Sequence, residues 1–368
     1  MKTGKTLQEL AVEIERQHAT KKDYIASTSN MAVHTDEGGE DVHLEVGDKL
    51  QMGLNNIAHD QIAEHTGIPT KYYNRMRNDA PSLLANNINA WFAKYPAPRM
   101  VRVLDGNARA FLSDKYAPFD NYDFAGAMLP LLRKRNLNVM SCEITERRLY
   151  IKAVDEQLFR DVPVGYKMGD GSHRIFDTCA PAIICSNSEV GFGRLVVETG
   201  TYTSGCTNLA LIAGGGMKRT HLGARNKMTE NMDVVDLDAI MSQETKRKTM
   251  EALWLQVHDV IAAAFDENIV RKRMERIAAT ADNKITSNKF DKVMEVVAER
   301  FGLDETESAS VFRNLIEGGN LTQYGLHAAV TRAAQDADTY DRATELEYMG
   351  GRIVELPAND WTRIAEAA

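Results

Sequence analysis

The apolar residues of this chain change period twice. Helical spacing governs the stretch up to Phe92, alternation takes over between Met100 and Thr201, and helical spacing returns from Asp238 almost to the end. A chain patterned in that order is expected to be α+β, with an antiparallel β-rich core carrying one or two packed helices. A helical N-terminal subdomain with a short hairpin is expected over residues 1–95, the core over 96–230 and a helical C-terminal region over 231–368. Local signals agree with this division. Gly67-Ile68-Pro69 and Ala80-Pro81 break residues 55–92 into three short helices, the prolines suiting first helical turns. Gly38-Gly39 and Asp105-Gly106 each punctuate an alternating stretch as a hairpin turn. A helix over 121–132 and a second hairpin at 145–148 follow, then strands at 182–185 and 193–201. Met250, Leu253, Trp254, Val257, Ile261 and Phe265 line one face of a long amphipathic helix, and further helices fit 290–301, 305–317 and 323–334.

Composition narrows the class. The chain has 368 residues, 43% hydrophobic and 26% charged, with 9 prolines, which excludes a disordered or collagenous chain. No apolar run approaches the roughly 20 residues that span a bilayer. The start, Met1-Lys2-Thr3-Gly4-Lys5, leads into a polar stretch without the apolar region of a secretory signal, so the chain reads as cytoplasmic. Cys142, Cys179, Cys185 and Cys206 contain no CxxC pair and read as free thiols. The net charge of −8 hides an asymmetry: residues 90–230 hold 19 Lys and Arg against 14 Asp and Glu, and the flanks are acidic. Between Glu198 and Glu230 there is no acidic residue, while Lys218, Arg219, His221, Arg225 and Lys227 make a local positive field suited to phosphates. The plainer alternative is that acidic helices of the same molecule cover this basic centre.

Short motifs add to this. Residues 58–73, with their Gly67 turn and the following Lys71, Arg75 and Arg77, are patterned like the front half of a helix-turn-helix, although Tyr72, Tyr73 and Met76 equally suit a core face. Further on, the segments 109–121 (Arg-Ala-Phe-Leu-Ser-Asp-Lys-Tyr-Ala-Pro-Phe-Asp-Asn), 186–191 (Ser-Asn-Ser-Glu-Val-Gly), Cys206-Thr207-Asn208 and 218–223 (Lys-Arg-Thr-His-Leu-Gly) occur in that order. The ordered set resembles the phage and plasmid family known as domain of unknown function 932. Gly67-Ile68-Pro69, Gln323-Tyr324-Gly325-Leu326 and Gly350-Gly351 resemble prophage members of it. The resemblance covers most of the chain and implies a mobile-element protein of DNA metabolism. A more distant similarity to phage single-strand annealing proteins has no motif here to carry it.

The expected activity is binding of single-stranded nucleic acid without covalent chemistry, in support of annealing or recombination, by a protein that forms homo-oligomers. Arg109, Lys115, Arg174, Lys218, Arg219, His221, Arg225 and Lys227 are the expected phosphate contacts, and Tyr116 and Tyr202 the expected base-stacking rings. Gly214-Gly215-Gly216 is expected to let backbone N–H groups approach an anion, although no GxxxxGK[ST] loop is present. Two alternatives come from other classes. One is a module whose acidic helical flanks engage a replication protein. The other is a metal-dependent enzyme in which Asp120, Asp123 and Glu189 converge, or a thiol enzyme pairing Cys206 with His221. No residue pattern calls for a cofactor, no HExxH or zinc spacing is present, and neither a GxSxG elbow nor a membrane partner is expected.

Overall fold

A computed structural model of the chain describes residues 1–367 apart from 36–37, 40, 48–49, 117, 168–172, 220–233 and 237–242. It is an α+β fold built on two mostly antiparallel sheets. Helix α1 (Leu7–Thr20) opens the chain behind a capping box in which Thr6 and Glu9 bond each other's backbone. Strands β1 (Lys22–Ser27), β2 (Met31–Thr35), β3 (Val42–Val46) and β4 (Leu50–Leu54) follow. Helices α2 (Asn56–Thr66), α3 (Thr70–Asp79) and α4 (Pro81–Lys94) then lead to β5 (Pro98–Leu104) and β6 (Asn107–Ser113). These six strands lie in the order β1-β5-β6-β4-β3-β2, antiparallel except for the β4–β6 pair. Between β5 and β6, Asp105 and Gly106 have φ of 52° and 79°, the left-handed pair that a tight hairpin requires. The inner face of this sheet buries Val33, Leu44, Val101 and Phe111 against Ile62, Tyr73, Leu84, Ile88 and Phe92 of α2–α4.

Helix α5 (Asn121–Lys134) crosses to the second sheet, made of β7 (Asn138–Ile144), β8 (Leu149–Val154), β9 (Arg160–Lys167), β10 (His173–Asn187), β11 (Leu195–Thr203) and β12 (Asn208–Arg219). Their order is β12-β11-β10-β8-β7, and β9 pairs with the first half of β10. A short strand β13 (Val234–Asp236) returns to pair with β1 in the first sheet. Helices α6 (Gln243–Ala264), α7 (Glu267–Ala279), α8 (Phe290–Phe301), α9 (Glu305–Gly318), α10 (Gln323–Asp336), α11 (Tyr340–Val354) and α12 (Ala358–Ala365) follow. One face of the second sheet packs Ile151, Ile183, Cys185 and Val197 against α1, α5 and α6. The other packs Tyr150, Ile184, Tyr202 and Leu211 against Tyr340 of α11. Helices α8–α12 bury a core of their own around Val293, Leu326, Leu346 and Trp361.

Three expectations change here. The first sheet pairs β1 with β5 and β4 with β6, so it runs across the boundary expected at residue 95, and α1 belongs to the second sheet through Leu10 and Ile14. Hydrophobic period locates strands but is blind to which strands pair, so a cut drawn at a change of period falls inside a sheet. Gly214-Gly215-Gly216 lies within β12 and not in a phosphate loop: a Cβ on Gly216 would stand 1.9 Å from the Val197 carbonyl oxygen of the neighbouring strand. The long amphipathic helix is present as α6, ending at Ala264, and to the helices that the spacing placed the chain adds α7, α11 and α12. Among the described residues no helix is long and apolar enough to cross a membrane.

Candidate functional site

The segments 109–121 and 186–191 meet at the junction of the two sheets. At the centre is Arg102, fully buried on β5 between the buried Val101 and Val103. Its Nε and Nη2 each donate to Asp23 of β1 at 2.8 Å, the residue directly across the strand pair. Nη2 also donates to Asp120 at 2.6 Å, and Nη1 to the Glu189 carbonyl at 2.9 Å. Lys21 bonds the other oxygen of Asp120 at 2.5 Å. Arg109 occupies a bulge: Arg102 pairs with Ala110 and Val103 with Ala108, so Arg109 has no partner across the ladder and its guanidinium reaches Glu189 at 2.9 Å. Glu189 in turn accepts from the Asn121 backbone N–H at 2.8 Å and from its side chain at 3.0 Å, which puts a carboxylate at the N-terminus of α5, where a helix favours one.

Three cations and three carboxylates therefore balance in an interior space. Burial alone would raise the Asp120 carboxyl, yet the charges of Arg102 and Lys21 hold it well below the usual carboxylate range. Burial would likewise discharge Arg102, and Asp23 and Asp120 keep it charged. Tyr116 donates its hydroxyl to the Ser188 carbonyl at 2.8 Å, and burial pushes its ionisation up to about 12. Asn187 bonds the Phe119 carbonyl at 2.8 Å and the Asn121 side chain at 2.9 Å. A void of about 10 Å³ lies beside Lys21, Arg109, Asp120, Tyr122 and Glu189, room for one water molecule at most. Each of these carboxylates is paired with a cation of the cluster. Among the described residues no group of three or more His, Cys, Asp or Glu side chains converges as a metal-binding set. This cluster locks the two sheets together.

Two of the other expected contacts, Arg174 and the partly exposed Lys218, are also held by carboxylates. Arg174 bonds Asp177 at 2.5 Å, and Asp177 accepts from the Tyr324 hydroxyl of α10. Lys218 bonds Glu198 at 2.8 Å, and Glu198 accepts from the Tyr348 hydroxyl of α11 at 2.6 Å. Lys152, on the same sheet face, is buried against Glu347 of α11 at 2.6 Å and lies 4.3 Å from the centre of the Tyr340 ring. Tyr202 is buried in the same layer and presents no face on which a base could stack. Of Arg219 the structure describes the backbone, in register with Leu195. His221, Arg225 and Lys227 lie outside the described residues. Lys115 is exposed. The acids that hold Arg174 and Lys218 belong to the second sheet itself, and the C-terminal helices bring Tyr324, Tyr348 and Glu347 to this face.

The described surface carries a different constellation at the end of α4. Trp91 and Tyr95, one helical turn apart, are stacked with centroids 5.8 Å apart and planes 9° from parallel. Lys94 places its ammonium 5.3 Å from the Trp91 ring centre and 5.4 Å from that of Tyr95. Tyr95 is 61% exposed. Arg99 pairs with Ser113 across β5 and β6, so Lys115 emerges at the same end of the sheet as Tyr95. His65, in the last turn of α2, packs on Phe92 and accepts from Arg99 at 2.6 Å, which sets the α2–α3 turn at this corner. There α3 exposes Lys71 and Tyr72, while Tyr73 and Met76 form its core face and Arg77 bonds Asp41. Sequence reasoning passed over Trp91, Lys94 and Tyr95; the signal was an aromatic pair at i and i+4 with a lysine between them.

No family model, no curated protein and no solved structure matches the chain.

Three histidines bear on stability. Burial pulls His59 and His327 down to about 4, and burial with the neighbouring Arg99 does the same to His65. His327 donates from Nδ1 to the Gly350 carbonyl at 3.0 Å. The unfolded chain takes up protons near pH 6.5 and the native one does not, so stability is full above that pH and falls as pH drops from 6.5 toward 4. The expected slope is about 1.4 kcal/mol per pH unit for each fully buried histidine. Urea midpoints of the wild type and of His327→Asn between pH 7 and 4.5 check this: the variant should show a shallower decline by one proton.

Proposed function

We propose that the chain binds single-stranded nucleic acid without covalent chemistry, and that the strand runs over the corner carrying Lys71, Tyr72, Trp91, Lys94, Tyr95 and Lys115. The observation that carries this reading is the exposed Tyr95 ring stacked on the partly buried Trp91, with the Lys94 ammonium against both rings. Stacked aromatic rings accept any base on their faces, and adjacent lysines neutralise the phosphates between bases. The cations of the inner sheet face are held by Asp177, Glu198 and Glu347, so they are not assigned to the strand.

Titration with a labelled oligonucleotide at low and moderate salt tests the proposal. Several lysine–phosphate contacts predict affinity that drops steeply with salt. Tyr95→Ala removes one stacking surface, expected to cost about 1–3 kcal/mol, or roughly a 5- to 150-fold loss of affinity. Trp91 fluorescence should quench on binding. Binding that is insensitive to both Tyr95→Ala and Lys94→Ala would remove this site.

A further inference from the structure

The face of the first sheet turned away from α2–α4 carries two histidines side by side. His34 of β2 stands directly across the strand pair from His43 of β3. Alternation puts them there: the neighbouring Val33, Val42 and Leu44 point the other way, into the core. The two imidazoles have centres 5.7 Å apart and planes 34° from parallel. Glu45, two residues on from His43 and so on the same face, holds a carboxylate oxygen 3.8 Å from His34 Nε2. That oxygen also accepts from the Gln51 side chain at 2.9 Å, which fixes the carboxylate in place. On the other side of His43 the ladder partner is Gly53 of β4, which has no side chain to fill its place. The Asn107 side-chain oxygen stands there instead, 2.5 Å from where a Cβ would be.

Among the described residues neither imidazole makes a hydrogen bond, and the long approach to Glu45 is the sole polar contact of the pair. The side chain of His34 is 50% exposed, so an ion reaches it from solvent. As a bare pair the two rings are a liability, because any charge they both take up repels across the strands. A cation shared between them turns the same placement into an attraction. Neutral imidazole nitrogens suit divalent zinc, copper and nickel. Metal–imidazole bonds of about 2.0–2.1 Å put two rings on one ion with centres roughly 5 Å apart, so the pair needs to close by only about 0.5–1 Å. We infer that His34 and His43 chelate one divalent transition-metal ion of the zinc, copper or nickel type across β2 and β3. Each ring gives one nitrogen, Glu45 adds a negative charge beside the ion, and water completes its coordination. Two protein donors form an open chelate, which differs from a closed set of three or more. The ion would tie down β2, the last strand in the order of its sheet, with β3 as its neighbour. This site is independent of the nucleic-acid reading.

Isothermal titration of the full chain with Zn²⁺, and separately with Ni²⁺, tests the inference. The wild type should take up one ion in a saturable step that the variant His34→Thr/His43→Thr lacks. Each single change should weaken binding at least ~10-fold, because loss of even a hydrogen-bond partner of a metal ligand costs about 10–100-fold. Threonine suits a strand and both rings lie on the outer face, so the variants should keep the wild-type circular dichroism. Stability gives a second readout: an ion that binds the folded chain raises the melting temperature as its concentration rises, in the wild type and not in the double variant. In the wild type itself, Zn²⁺ should shift the ring carbon-bound proton resonances of His34 and His43 and leave those of His18 and His258 in place. A wild type with no saturable uptake of either metal would overturn the proposal. So would equal uptake by the double variant, which would mark an adventitious ion only, or Zn²⁺ shifts that fall on other histidines.

Discussion

Replacing Arg102 with methionine should lower the free energy of unfolding by about 3–5 kcal/mol, the range seen when one partner of a buried ion pair is removed. The reason lies in what remains: Asp23 and Asp120 stay in place, largely buried, with Lys21 as the nearby cation for one of them. The cost should grow as pH rises through the carboxylate range, because the orphaned acids must then ionise inside the protein. A second replacement, Asp23→Leu in the Arg102→Met background, should recover part of the loss, since two apolar groups tolerate burial where one unpaired charge does not. Urea denaturation at pH 5 and pH 8 measures both effects. A loss below about 1 kcal/mol would place the cluster with solvent-screened surface pairs.

The second large effect concerns Gly351. Helix α11 crosses β12 so closely that a Cβ at this position would sit 2.0 Å from the Leu211 carbonyl oxygen, a backbone atom that cannot turn aside. Gly351→Ala should therefore cost about 3 kcal/mol, the upper part of the range for overpacking. Gly350→Ala should cost less, because its Cβ would meet the Thr331 methyl group, a side-chain atom that can shift. Gly126 in α5 has nothing within 4 Å, and alanine there should add stability of up to about 1 kcal/mol. Thermal melts of the three variants should rank in that order, and an equal response would mean that α11 does not press on β12. Gly325 has the same kind of constraint against the Asn320 carbonyl, at 1.6 Å. The glycines of the tail motifs are thus explained by helix packing.

The α+β class was legible because hydrophobic period and turn chemistry are local. Asp105-Gly106 announced the β5–β6 hairpin, and Gly302 and Gly319, both at positive φ, end α8 and α9 as glycine punctuation suggests. Strands β1 and β9 were not legible. In Lys22–Ser27 the buried Asp23 breaks the apolar pattern, and its burial depends on Arg102, far away in sequence. In Arg160–Lys167, Pro163 and Gly165 interrupt the run of strand-forming residues. The partners of the candidate cations were not legible for a related reason. A count of charges locates Arg109, Arg174 and Lys218, but it does not reveal that Glu189, Asp177 and Glu198 stand within 3 Å of them. The conjunction of segments 109–121 and 186–191 did point to a real place in the molecule, the junction of the sheets, where the residues hold the fold together.

The most direct test of the functional account is photochemical cross-linking of a single-stranded oligonucleotide bearing 5-iodouracil, followed by mapping of the modified peptides. Adducts on the peptide that contains Trp91 and Tyr95 are the predicted result. Adducts confined to β10–β12, on peptides carrying Arg174, Tyr202 or Lys218, would contradict it and would require the C-terminal helices to leave the sheet.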